Sequence, residues 1–136
     1  MNMDHVTPYL EGMDARKPEL LGEHMSENIV LKSPFLTTPF VGKAAALGVL
    51  GVLLSAVDEF ETTAVITGDK RAAVMLRIRL GDAEVTGVDD MEIDDDGLIT
   101  SMTVQWRPLD QIVAIQQKLA PLVGVPPLKL VERDVA

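Results

Sequence analysis

The sequence predicts an α+β fold in which helices come first and an antiparallel sheet follows. Residues 43–57 are apolar on nearly every side of a helix, which is typical of a helix buried in a core. From Asp58 onward the apolar residues alternate along the chain, as they do in strands. Three turn sequences divide this second part into four strands. The turns lie at 68–70, 81–82 and 94–97. Helices followed by consecutive hairpins indicate α+β rather than βαβ units.

The N-terminal part is predicted to hold two short helices and one strand. Residues 7–14 and 19–25 have helical patterns, and Pro18 separates them because proline cannot continue a helix that has already begun. Residues 28–33 have the alternation of a short strand, with Ser33 on its apolar face. A proline follows directly, so a loop is expected before the long helix.

The long helix carries two glycines, Gly48 and Gly51, within its apolar sequence. Each costs about 1 kcal/mol of helix stability relative to alanine. Such a cost is usual where a second backbone packs closely against the helix, and we expect that packing here. The apolar stretch is also too short for a membrane span, which needs about 20 residues. It therefore predicts a buried helix.

The sheet is predicted from four strands, at 59–67, 72–80, 84–93 and 98–107. A short helix over 109–119 follows. The C-terminal tail, 120–136, is predicted to be extended because of its three prolines, Pro121, Pro126 and Pro127. Since the tail is rich in apolar residues, we expect it to dock on its own domain or on a partner subunit. The prediction is thus one domain over 1–136, with its core at about 5–119.

Composition and charge limit the classes of function. The chain has 136 residues, of which 47% are apolar, so we expect one folded domain and exclude disorder. A net charge of −9 argues against a nucleic-acid partner, because phosphate binding needs clustered Lys and Arg. Without cysteine, and without a secretory or lipidation pattern, we expect a cytoplasmic protein that does not bind membranes.

No cofactor or metal is expected. The residues lack the His, Cys and carboxylate spacing of a transition-metal site. The acidic run at 89–96 loosely resembles a calcium loop. However, its first ligand would be Glu92 rather than Asp, and its twelfth position is Thr103 rather than a bidentate Glu. A solvated hairpin tip is therefore the preferred interpretation.

Several stretches of the sequence, taken in order, resemble the nuclear transport factor 2-like superfamily, which includes the SnoaL-type cyclases and ketosteroid isomerase. The similar stretches lie at 9–14, 20–21, 28–31, 39–45, 93–99 and 106–107. The resemblance covers about residues 5–112. It implies a cone-shaped, cystatin-like fold, in which a curved and mostly antiparallel sheet wraps around the N-terminal helices and a pocket. It also implies that a homodimer is common.

Asp89 is the first candidate site residue. It is the only carboxylate on the apolar face of strand 84–93, where burial would raise its pKa. A bulge that returns Asp89 to solvent is the alternative. Resemblance to ketosteroid isomerase implies that Tyr9 and Asp89 donate hydrogen bonds to a substrate oxygen. The general-base aspartate of that family falls on Ser33 here, and a serine cannot abstract a proton unaided.

The inner face of the sheet predicts an apolar pocket for a small ligand. Its expected lining residues are Leu31, Ser33, Phe35, Phe40, Met91, Val104 and Trp106. A filled core would use the same residues, so both interpretations stay open.

Two functions are compatible with this pattern. The first is binding of an apolar carbonyl or hydroxyl compound, with Tyr9 and Asp89 as catalytic residues of an isomerase, cyclase or dehydratase. The second is a non-catalytic, dimeric binding module of the same fold. In both cases we expect a two-fold homodimer packed through the sheet, because strand 72–80 is apolar on both faces.

Overall fold

Three helices pack on a curved six-stranded sheet. The computed structural model describes residues 3–133. Its helices are α1 (Val6–Asp14), α2 (Lys43–Ala56) and α3 (Leu109–Val123). Its strands are β1 (Met25–Lys32), β2 (Phe40–Val41), β3 (Glu59–Gly68), β4 (Arg71–Leu80), β5 (Ala83–Ile93) and β6 (Ile99–Arg107). This order of elements confirms the predicted α+β fold class.

The strands lie in the order β2-β1-β6-β5-β4-β3 across the sheet. β1 runs parallel to β6, and the other neighbouring pairs run antiparallel. The β4–β5 pairing is regular over its whole length and places Asp89 opposite Val74 on the inner face. Since Asp89 is also buried, the alternative of a bulge that exposes it is wrong.

Buried side chains form two clusters. The first joins α1, α2 and β1 to the inner face of the sheet and includes Tyr9, Leu50 and Met102. The second joins β4 and β5 to α3 and includes Val85 and Ile115. Full burial of such a side chain contributes about 1.5–3 kcal/mol to stability. The two clusters therefore fix α2 and α3 on the sheet.

The predicted helix at 19–25 is wrong. The chain instead forms two 3-10 turns, Pro18–Leu20 and Gly22–His24, and β1 begins at Met25 rather than at residue 28. A proline that opens the first turn and a glycine that opens the second leave too few residues for an α-helix between them. The short strand β2 was not predicted.

The C-terminal helix is longer than predicted. α3 continues through Pro121 to Val123 and ends at Gly124, whose φ of 71° is the left-handed conformation typical of a helix end. Pro121 lies in the last turn, and the buried Ala120 beside it holds this turn against the domain. The extended tail therefore begins after Gly124 rather than at residue 120.

Candidate functional site

A cavity of about 320 Å³ lies between α2, α3, β6 and the loop that follows β1. Its lining is almost entirely apolar: Leu31, Ser33, Pro34, Phe35, Leu36, Phe40, Gly48, Val49, Leu50, Val52, Leu53, Val104, Trp106, Gln116, Leu119, Ala120, Val123 and Val125. Among them Leu36, Val123 and Val125 are exposed and mark its mouth. These side chains leave the space between them unfilled.

The α2 wall of the cavity includes Gly48, one of the two glycines of the long helix. An added Cβ at Gly48 would meet no atom within 4 Å, and Gly48 lines the cavity. At Gly51 the added atom would meet only the Pro18 side chain at 3.9 Å, an ordinary contact. The prediction that a second backbone packs against these glycines is therefore wrong. The apolar surface of α2 is divided: one side is buried in the core, through Ala46 and Leu54, and the neighbouring side lines the cavity.

The loop after β1 contributes a polar group to the wall. Ser33 Oγ accepts hydrogen bonds from the backbone N–H of Phe35 at 3.3 Å and of Leu36 at 3.2 Å. The Phe35 ring meets the Trp106 indole edge-on, with 5.3 Å between ring centroids. Ser33, Phe35 and Trp106 thus form one continuous part of the lining.

Trp106 is held on the sheet by a neighbouring glycine. A Cβ at Gly87, its partner on β5, would lie 2.6 Å from Trp106 Cδ1 and 2.3 Å from the backbone oxygen of Gln105. No larger residue fits at position 87 without displacing the indole or β6. The indole Nε1 is buried without a hydrogen-bond partner in the described part of the chain.

The opposite wall is formed by α3 and by Val125. Val125 begins a segment, residues 125–131, which we call the C-terminal strap. Gln116 is buried, and its side chain donates to the Pro126 carbonyl at 3.2 Å and accepts from the Leu128 N–H at 2.7 Å. Gln117 donates to the Leu128 carbonyl at 2.7 Å. Residues 126–128 are therefore attached to α3 of the same chain.

Asp89 lies beside the cavity but does not line it. It is opposite Val104, which does line the cavity, on the inner face of the sheet. Only 4% of Asp89 is exposed, and its Oδ1 is buried with no hydrogen-bond partner among residues 3–133. Burial raises the pKa of this carboxyl from its ordinary value of 3.8 to about 7. Near neutral pH it can therefore be either protonated or ionised.

Tyr9 lies in the core next to Asp89. Its side chain is fully buried, and its hydroxyl donates to Met102 Sδ at 3.6 Å. Burial first, and then the nearby Asp89 carboxylate, raise the pKa of Tyr9 well above its ordinary value. The two predicted catalytic residues are therefore near each other, and both lie behind the cavity wall.

Six of the nine predicted site residues line the cavity, namely Leu31, Ser33, Phe35, Phe40, Val104 and Trp106. Met91 is wholly buried and, like Tyr9 and Asp89, is not part of the lining. The prediction missed the contributions of α2, α3 and the strap. The cost of Gly48 in an apolar helix was a usable signal for α2, whereas nothing in the sequence marked Gln116.

In residues 3–133, no group of three or more His, Cys, Asp or Glu side chains could hold a metal ion. The helices of this part of the chain include none that is long and apolar enough to cross a membrane.

Residues 6–102 match the model of the SnoaL-like domain family, so the chain belongs to that family. It carries the fold of the nuclear transport factor 2-like superfamily, as the sequence predicted. No curated protein sequence matches the chain.

Solved structures share the fold at low sequence identity. A steroid delta-isomerase from Pseudomonas aeruginosa has a TM-score of 0.83 and 20% identity, over 89% of this chain and 90% of that one. A cystatin-like protein from Silicibacter pomeroyi DSS-3 has a TM-score of 0.83 and 20% identity, over 88% and 85%. The epoxide hydrolase/cyclase-like enzyme SalBIII has a TM-score of 0.66 and 23% identity, over 79% and 91%.

Proposed function

We propose that this protein binds a small apolar molecule in the cavity between α2, α3 and the sheet. The cavity itself carries the proposal, since about 320 Å³ with apolar walls and few polar groups is the usual form of a small-ligand site. Similarity to a steroid isomerase and to a cyclase-like enzyme supports the same class of ligand.

Trp106 makes this proposal directly testable, because it is the only tryptophan of the chain and lines the cavity. We expect titration with trans-2-decalone, a compact apolar ketone, to change its fluorescence in a saturable way. Gly48→Leu should abolish that change by filling the cavity. Ser55→Leu places the same side chain two turns further along the same side of α2, at an exposed position that does not line the cavity, and should leave binding intact. Absence of saturable binding by the unmodified protein would refute the proposal.

A chemical step at Asp89 is the second candidate. A carboxyl whose pKa lies near 7 can donate or accept a proton at neutral pH, which suits an acid–base catalyst. Val104, the partner of Asp89 on β6, lines the cavity whereas Asp89 does not, so the step requires the ligand to reach beyond the lining. The burial of Asp89 beside the cavity favours a chemical step. Its absence from the lining favours binding without chemistry.

Phenol analogues test whether Asp89 and Tyr9 take part. If Asp89 and Tyr9 contact the ligand, ionised phenols should bind better than neutral ones, because both residues would donate to the same oxygen. If they do not, neutral phenols should bind better, because no charged side chain among residues 3–133 lines the cavity. Asp89→Asn should keep much of this preference, whereas Asp89→Leu and Tyr9→Phe should reduce it. Equal affinities in all three variants would show that neither residue contacts the ligand. The function would then be that of a non-catalytic binding module.

We also propose that two copies pair through the outer face of the sheet. That face has an apolar patch with charged edges; the patch consists of Ala64, Ile66, Ala73, Met75 and Val88. On one side Arg77 pairs with Glu84 and Glu59, each at 2.6 Å, and on the other Arg71 pairs with Asp90 at 2.7 Å. An apolar centre with a polar rim is the usual composition of a subunit interface.

Light scattering tests the dimer. The protein should have twice the chain mass at micromolar concentration, and Ile66→Glu should halve it. Val41→Glu makes the same change on the opposite edge strand, β2, and should have no effect. A monomer mass for the unmodified protein would refute the dimer.

A further inference from the structure

The cavity contains three polar side chains, and their hydrogen bonds determine what a ligand can offer. They are Ser33, Trp106 and Gln116. No charged side chain belongs to the lining formed by residues 3–133. A charged ligand would therefore lose its hydration without gaining an ion pair.

The Gln116 amide holds the C-terminal strap with part of its hydrogen-bonding capacity. It donates to one backbone carbonyl of the strap and accepts one backbone N–H from it. One N–H and one acceptor position of the amide remain, so Gln116 does not select between donor and acceptor ligands. Ser33, by contrast, has remaining capacity of one kind.

Ser33 can only donate. Its Oγ accepts the N–H groups of Phe35 and Leu36, which occupy both acceptor positions of a hydroxyl. Its own O–H has no acceptor among residues 3–133. The Trp106 indole also has only an N–H to give, but its nitrogen is buried and is not exposed to the cavity. The Ser33 hydroxyl is therefore the donor that this end of the cavity presents.

We propose that Ser33 Oγ–H donates a hydrogen bond to a neutral acceptor oxygen of the ligand, such as a ketone, aldehyde or ether oxygen. This inference rests on the proposed small-molecule binding and adds the polarity of the ligand. Ammonium compounds and carboxylates are excluded because no charged side chain among residues 3–133 lines the cavity to offset their lost hydration.

The test compares two ligands of one shape, trans-2-decalone and trans-decalin, on three proteins. Trp106 fluorescence reports binding in each case, because all three proteins keep the indole. Ser33→Ala should weaken decalone binding about 3- to 10-fold, the usual effect of losing one hydrogen bond, and change decalin binding less than 2-fold. Ser33→Thr keeps the hydroxyl and should bind both ligands as the unmodified protein does.

Comparison with trans-decalin, which has no acceptor oxygen, distinguishes a hydrogen bond from Ser33 to the ligand from a structural role of Ser33. Since Ser33 also supports the loop through Phe35 and Leu36, loss of loop structure would weaken both ligands equally. An equal loss for both ligands, or no loss for decalone, would overturn the inference while leaving the proposed function. If neither ligand binds the unmodified protein, the proposed function fails as well.

A spectroscopic measurement needs no variant. The infrared stretch of ¹³C-carbonyl decalone bound to the unmodified protein should lie below its frequency in hydrocarbon solvent, because a donated hydrogen bond weakens the carbonyl bond. A bound ketone whose frequency matches that in hydrocarbon has no donor, and this result would overturn the inference even if Ser33→Ala did not fold.

Discussion

Replacing Asp89 by asparagine should change how the stability of the protein depends on pH. Burial raises the pKa of Asp89 from 3.8 to about 7 in the folded state. Between these values the folded protein keeps a proton that the unfolded chain releases, so stability falls as pH rises through this window. The loss amounts to about 4 kcal/mol in total and is complete above pH 7. Whole domains have a stability of about 5–15 kcal/mol, so this is a large effect.

Asparagine has nearly the same shape and cannot ionise, so Asp89→Asn should escape this loss. Urea unfolding of both proteins at several values between pH 4.5 and 8 gives the free energy of unfolding of each. The advantage of the variant should grow by about 1.4 kcal/mol per pH unit up to pH 7 and then stay constant.

Other groups also titrate in or near this range, but they are common to both proteins. His24, whose pKa is lowered mainly by burial, destabilises both as pH falls below 6.5. Asp90, whose pKa is lowered by its hydrogen bond to Arg71, acts in the same direction below pH 4. The difference between the two proteins therefore isolates Asp89. A difference that does not vary with pH would refute a buried, unpaired carboxyl at this position.

Three further predictions concern the walls of the cavity. Gly48→Ala and Gly51→Ala should each stabilise the protein by up to about 1 kcal/mol in denaturant unfolding, since neither added methyl meets a close contact; a loss at either would mean a hidden clash. Gly87→Ala should destabilise by about 1–3 kcal/mol, because its methyl would lie 2.3 Å from a backbone oxygen; unchanged unfolding would contradict the β5–β6 geometry. Gln116→Met should speed amide hydrogen exchange at Leu128 without changing exchange in β5; unchanged exchange at Leu128 would show that the strap is held otherwise.

The strands and their faces could be predicted because alternation fixes parity wherever pairing is regular. Asp89 is the example: one apolar face and an uninterrupted β4–β5 register were enough to place it inside. Alternation does not reveal how far a side chain lies from a neighbouring space. The sequence therefore could not show that Asp89 and Tyr9 lie behind the cavity wall while Val104 lies in it.

The helical walls were harder to predict, for two physical reasons. A helix that is apolar on all sides gives no direction, so Gly48 was assigned to close packing when it faces open space. Proline was expected to exclude a helix, yet Pro121 is tolerated in the last turn, where packing by Ala120 compensates for the lost hydrogen bond. Tertiary packing decided both cases, and a local pattern does not contain it.

The Gln116 side chain acts toward the strap as a neighbouring strand would, with one donor and one acceptor meeting the backbone of residues 126–128. Among residues 3–133, three side-chain hydrogen bonds from two adjacent glutamines and one backbone bond, from the Val125 N–H to the Ala120 carbonyl, attach this segment, and none of them belongs to the sheet. The strap can therefore detach while both buried clusters stay packed. The backbone amides of the strap should then exchange with solvent at the rate of this local opening, far faster than global unfolding.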